Sequence, residues 1–298
     1  MADYFEENFD KYRPLVDKGR YPDAIEACLA FLQDYRSNNS DYETQHKGSP
    51  FYVMGYAAFA SHDYSGASLF FDAAVEEDIT KFGPTADKPA LNFMRLEDKG
   101  LEVLASEIVR NLILATEELL TDYNARPGAQ AITLSELRSK FLVWALGEKD
   151  VHKRALMTTF ISFVAEWKYR QRLIGLLANG SREPFFVHLF RGCVLFESLL
   201  KENPNHFCKK DMLGPILDDF QTQLNITKVT TGGAAFDTVL KNLTPAMPVQ
   251  QTIEAAARLR NTVGHKISWT TANLDKDSYE LAVKAVASSC IHTISTLY

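Results

Sequence analysis

The chain has 298 residues, of which 46% are hydrophobic and 23% charged, and its formal net charge is −6. That length holds one large or two medium domains with ample core, and the acidic balance excludes a general affinity for polyanions. No apolar run is long enough to cross a bilayer and no signal-peptide pattern leads the chain, so a cytoplasmic protein without a membrane partner is expected. Cys28, Cys193, Cys208 and Cys290 are widely spaced and mostly sit in apolar patterns. They read as reduced core residues of an intracellular protein.

In chain order, the apolar spacing predicts helices over about 4–18 and 22–35, then loop chemistry at Asn38-Asn-Ser-Asp41 and His46-Lys-Gly-Ser-Pro50. Residues 51–64 and 65–75 read as a helix pair. In it Phe51, Met54, Gly55, Ala67, Phe71 and Ala74 fall on a spacing that resembles a tetratricopeptide unit, with large residues filling the groove and small ones allowing close approach. Tyr21, Ala24 and Ala27 hint at an earlier copy. The departures are Ala58 at the tyrosine position of the first helix and a missing terminal proline. Longer helices are predicted over about 91–124, 134–147 and 151–178, with Arg126-Pro-Gly128 as the break between the first two. Ala178-Asn-Gly-Ser-Arg-Glu-Pro184 is polar and turn-rich and reads as a domain boundary. This gives a helical region at 1–180 and a second domain at 181–298. By charge count the first region carries about −7 and the second about +1, so any polyanion contact must be local. The second domain reads as helices at about 185–202, 211–224, 234–242, 248–264 and 276–298. No period-two alternation is long enough for a sheet.

Reactive groups concentrate at the end of the 248–264 helix. Val249, Ile253, Ala256 and Val263 share one face with Arg260. An arginine in an apolar stripe needs a partner. Glu197 lies on the stripe of Phe186, Phe190, Cys193 and Leu200, and has the same need. The two can pair across the bundle, or Glu197 can sit at the stripe's edge in water. Asn261 and His265 share another line of the helix. Arg260 and His265 are roughly 140° apart on a continued helix, so either the helix ends near Gly264 or the two groups meet across two molecules.

Arg260-Asn-Thr-Val-Gly-His265 resembles the Arg-x(4–6)-His motif of HEPN domains. Phe190-Arg-Gly-Cys-Val-Leu-Phe-Glu-Ser-Leu-Leu-Lys201 looks like the first helix of such a domain, and the resemblance covers roughly 181–298. It implies an all-α chain: tetratricopeptide-like helical-hairpin layers followed by a HEPN-like bundle. It further implies a metal-independent endoribonuclease, without cofactor, acting on RNA by attack of the 2′-hydroxyl on the neighbouring phosphate. His265 would move protons. Arg260 would hold the non-bridging oxygens with its fork of donors, and Asn261 would orient ribose, phosphate or His265. Arg191, Arg258, Lys201 and Lys266 are candidate phosphate contacts, and Glu197 a support for Arg260. Family members pair two motifs across a homodimer, here expected through 181–298, and are commonly toxins or antiviral effectors. Residues 1–180 would then restrain the site, or take a regulatory protein or a nucleotide ligand. The alternative is a non-catalytic helical interaction or nucleotide-binding protein that uses the HEPN-like domain to dimerise.

Other patterns have plainer readings. Trp167-Lys-Tyr-Arg-Gln-Arg172 has the composition of a single-strand binding surface, and equally that of an amphipathic helix, which is favoured. Glu76-Glu-Asp78, Glu117-Glu118 and Asp218-Asp219 read as acidic helix faces. His206-Phe-Cys208 and Cys290-Ile-His292 lack second halves at zinc spacing.

Overall fold

The computed structural model describes residues 4–148, 150–176, 181–232, 236–264 and 274–298. Every regular element among them is helical, so the chain is all-α. The longer helices are α1 (Tyr21–Asn38), α2 (Gly48–Ala60), α3 (Tyr64–Phe82), α4 (Val103–Asn124), α5 (Val151–Leu176), α6 (Glu183–Lys201), α7 (Val249–Val263) and α8 (Lys276–Leu297). None is long and apolar enough to cross a membrane.

Two compact units divide these elements. The first takes in Met1–Ile113 and Leu146–Thr158, the second Leu114–Ala145 and Thr159–Tyr298. The division therefore does not fall at 181. The polar turn there looks like a linker, but side chains before it pack with the C-terminal helices. The Phe163 ring stacks on His188 with centroids 4.5 Å apart. Arg191 pairs with Glu166 at 2.5 Å, and Lys140 Nζ donates to the Ser295 carbonyl at 2.8 Å.

In the first unit α2 and α3 form a helical hairpin, with α1 packed on α2. Asp63 caps α3 by accepting from the Gly66 N–H at 2.9 Å. Gly55 shows why small and large residues alternate here. A Cβ at that position would stand 2.8 Å from the Phe71 ring, so only glycine admits the phenyl group. The helix expected over 91–124 is interrupted. A short helix, Pro89–Met94, ends in a loop where Leu96 has φ 56° and Gly100 φ 61°. The buried Asn92 side chain fixes that loop, donating to Asp87 at 2.7 Å and to the Lys99 carbonyl at 3.1 Å. Apolar periodicity does not register this tie, which stops the helix eight residues before α4 begins. Similarly, the helix expected over 134–147 is three segments with a π-turn at Arg138–Leu142.

In the second unit α6, α7 and α8 pack pairwise, and α8 is buried over most of its length. Trp167 is fully buried on α5 while Lys168 reaches out to Glu118. That stretch is an amphipathic helix face. Cys28, Cys193 and Cys290 are buried thiols; burial pushes Cys28 up to about 12 and the other two further.

Two buried histidines tie this unit together in the same way. His188 Nε2–H donates to the Phe163 carbonyl at 2.9 Å, and its Nδ1 accepts from the Tyr279 hydroxyl at 2.7 Å. His292 Nε2–H donates to the Leu224 carbonyl at 2.8 Å, with Nδ1 3.0 Å from the Tyr123 hydroxyl. Each imidazole is held as the neutral Nε2–H tautomer. Burial pulls His188 down to about 4, against the opposing pull of Glu166, and burial also lowers His292. The unfolded chain binds these protons near pH 6.5 and the folded chain does not. Stability is therefore complete above about pH 6.5 and falls as pH drops toward 4. The expected loss from His188 alone is about 3 kcal/mol by pH 4. Urea midpoints followed by tryptophan fluorescence measure it, since Trp144 and Trp167 lie in the second unit. A midpoint unchanged between pH 7 and pH 5 would contradict the assignment.

Candidate active site around Arg260

The helix that carries the site, α7, starts after Pro248 and buries Val249, Ile253, Ala256, Leu259 and Val263. It ends at Gly264, whose N–H donates to the Arg260 carbonyl at 3.0 Å. Gly264 has φ −62°, so its glycine is not there for a left-handed turn. The reason is space: a Cβ would sit 2.8 Å from the Arg260 carbonyl oxygen and 3.2 Å from the Phe190 ring, which covers the helix end.

Arg260 and Glu197 meet across α6 and α7, as two charged residues on facing apolar stripes must. Arg260 Nε donates to Glu197 Oε2 at 2.8 Å. The Glu197 side chain is 7% exposed and that of Arg260 33% exposed, so the carboxylate is the buried anchor and the guanidinium the presented group. Lys201, one turn along α6, holds the other carboxylate oxygen at 3.0 Å and donates to the Asp211 carbonyl at 3.0 Å. Two cations thus share one anion, and the trio carries a net positive charge facing outward. Arg260 Nη1 also donates to Asn261 Oδ1 at 3.3 Å, and Asn261 Nδ2 donates to the Thr231 carbonyl at 2.8 Å. This chain of bonds fixes both the guanidinium plane and the amide. Cys193, one turn before Glu197, feels Arg260, but burial dominates and holds its thiol protonated.

The remaining candidates are placed differently. Arg191 is engaged by the buried Glu166, which also holds Arg170 at 3.2 Å. Arg258 lies two residues from Arg260, hence on another side of α7. It is bound to Glu254 at 2.7 Å and to the Thr230 carbonyl at 3.2 Å. There it lines a cavity of about 310 Å³ with Asn242 and Gln251. Arg191 and Arg258 each hold a carboxylate of their own, Glu166 and Glu254, rather than Glu197. His265 and Lys266 lie outside the described residues.

Thr231 and Asp211 take part through their carbonyls, which no residue-type pattern reveals. The stretch before Gly232 does carry a signal in retrospect. Thr227, Thr230 and Thr231 run beside α7 and are bonded in turn by Gln250, Arg258 and Asn261. These three side chains lie along one polar edge of α7.

Chemically, the arrangement offers a fixed, part-exposed guanidinium with an adjacent oriented amide. That suits an anionic group with two or more acceptor oxygens. Among the described residues no cluster of three or more His, Cys, Asp or Glu side chains is gathered as a metal site would require. No family model, curated protein or solved structure matches the chain.

Proposed function

We propose that the chain is a metal-independent endoribonuclease of HEPN type, cleaving RNA by attack of the 2′-hydroxyl on the adjacent phosphate. The observation that carries the reading is the clamp on Arg260. A buried carboxylate spends its charge fixing one edge of the guanidinium, and a third of the side chain stays exposed beside Asn261. Fixed donors aimed at developing charge are what phosphoryl chemistry asks of a protein. His265 follows Gly264 directly in the chain and supplies the proton-transfer group. In this reading two copies pair through residues 181–298 to bring two motifs to one cleft, and the first unit restrains or triggers the site, as in a toxin or antiviral effector.

The same clamp favours one competing reading. An arginine already paired to glutamate also serves a binding module, in which the helical bundle dimerises or holds a nucleotide without turnover. The test is incubation of the full chain with mixed single-stranded RNA in chelator, followed by analysis of the product ends. The expected products carry 2′,3′-cyclic phosphate, DNA of matched sequence stays intact, and sedimentation gives a homodimer. RNA left whole by a dimeric, folded sample would assign the chain to the binding reading.

A further inference from the structure

The loop between α6 and the short helix at Leu213–Asp219 carries Phe207, which is 86% exposed, more than any other large apolar side chain among the described residues. A lone exposed apolar residue is ordinary. This one stands on a loop that is fastened on both sides of it. Before it, the Asn203 amide donates to the Leu200 carbonyl at 2.6 Å and accepts from the His206 N–H at 2.5 Å. Asn205 donates to the Leu297 carbonyl, at the end of α8, at 2.6 Å. The His206 ring meets Phe220 edge to face. After it, the Asp211 carbonyl accepts from Lys201 at 3.0 Å. Folding the phenyl ring back onto the bundle would bury apolar surface. The ties on either side hold it out in water instead.

The flanking residues give the ring its chemistry. Lys209 and Lys210 are exposed and make no ion pair among the described residues. Lys209 Nζ lies 5.7 Å from the centre of the Phe207 ring. Protein interfaces are depleted in lysine. An aromatic face beside unpaired cations suits single-stranded nucleic acid, whose bases stack on the ring while its phosphates meet the lysines. Position connects this loop to the site already described. The Lys201 ammonium that holds the Asp211 carbonyl also holds Glu197 at 3.0 Å, and Glu197 holds Arg260 at 2.8 Å. Asp211 is four residues from Phe207, a span of at most about 14 Å. A strand with a phosphate on Arg260 therefore has Phe207 within reach of a few nucleotides.

We propose that this loop is a single-stranded RNA subsite of the Arg260 site. Phe207 stacks on one base a few nucleotides from the phosphate at Arg260, and Lys209 and Lys210 take the phosphates beside that base. The proposal rests on RNA as the ligand of the Arg260 site, not on its turnover. The subsite takes any base, since every base has a face to stack, and it favours unpaired strands over duplex.

The test uses the full chain and a fluorescently labelled 2′-O-methyl RNA decamer, which offers no 2′-hydroxyl for attack. Anisotropy titrations at several salt concentrations give its affinity. Phe207→Ala is expected to weaken binding about tenfold, and Phe207→Trp to keep it. Because the ring is exposed, both variants are expected to melt with the native chain. Replacing Lys209 and Lys210 together by alanine is expected to flatten the salt dependence, by about 1.4 in the slope of log affinity against log salt. The proposal is overturned if the native chain does not bind the decamer, if Phe207→Ala binds like the native chain, or if Phe207→Trp binds no better than Phe207→Ala. It is also overturned if sedimentation shows that Phe207→Ala dissociates a dimer, which would make the loop a contact between copies. The ribonuclease reading fails separately. A native chain that binds the decamer through Phe207 and leaves unmodified RNA whole keeps this subsite and loses the enzyme.

Discussion

Replacing Arg260 by alanine is expected to lower RNA cleavage by about 10²–10³-fold while the chain stays folded. The loss is chemical because the fold does not depend on this guanidinium alone. Its side chain is one-third exposed, and its removal leaves Glu197 still held by Lys201 at 3.0 Å. No carboxylate is stranded, so the usual large cost of breaking a buried pair is not incurred. Arg260→Lys is expected to recover little. A lysine ammonium is a point charge and cannot hold Glu197 with one edge and a phosphate with another. Glu197→Gln separates positioning from chemistry. It retains an acceptor for Arg260 Nε but removes the charge, so the guanidinium is less firmly fixed. A loss of about tenfold is expected, smaller than that of Arg260→Ala. His265→Ala removes the proton-transfer group and is expected to cost about 10²–10⁴. Single-turnover rates in chelator, with circular dichroism and sedimentation for each variant, give the comparison. Arg260→Ala cleaving at the native rate would remove Arg260 from the mechanism. A Glu197→Gln defect larger than that of Arg260→Ala would show that Glu197 acts on RNA by some route other than holding Arg260.

The pairing of Arg260 with Glu197 was legible because both residues interrupt apolar stripes, and helical spacing reports such interruptions directly. The same signal was present, and went unused, at Asp78. It follows Ala67, Phe71 and Ala74 at steps of four, three and four, so it lies on the buried face of α3. Read within Glu76-Glu-Asp78 it looks like part of a solvated acidic run. Its partner His46 looked like loop chemistry for a similar reason, since neighbouring polar residues masked a burial that only the third dimension imposes. The misplaced boundary at 181 has a parallel origin. A polar, turn-rich stretch reads alike whether it links domains or merely turns the chain. Only contacts such as Arg191 to Glu166 and Phe163 to His188 tell the two apart. The early end of the 89–94 helix belongs with these, because it depends on where Asn92 sends its amide.

The largest stability effect is expected at Asp122, the more exposed partner of its pair. Arg126 is 1% exposed at the side chain and Asp122 16%. Nε and Nη2 of Arg126 donate to Asp122 Oδ2 at 2.9 and 2.7 Å, and Nη1 donates to the Met247 carbonyl at 3.2 Å. This guanidinium joins the end of α4 to the segment that leads into α7, and the neighbouring Pro127 carbonyl makes a second tie by accepting from the Val249 N–H at 3.0 Å. Asp122→Ala leaves a buried cation with one neutral acceptor, at an expected cost of about 3–5 kcal/mol. That is a large fraction of the 5–15 kcal/mol typical of a folded domain. Arg126→Met removes the buried charge and keeps most of the volume. Its carboxylate partner reaches water, so the remaining cost is mainly the unpaired Met247 carbonyl, about 1–2 kcal/mol. The order runs against burial as a simple guide, which would rank the arginine first. Urea unfolding followed by tryptophan fluorescence decides it. If Arg126→Met proves as damaging as Asp122→Ala, the guanidinium is needed for its bond to Met247 and the positioning of α7, rather than being a charge that Asp122 makes tolerable. In that case Arg126→Met would also be expected to slow cleavage at Arg260, because α7 carries the candidate active site at its far end.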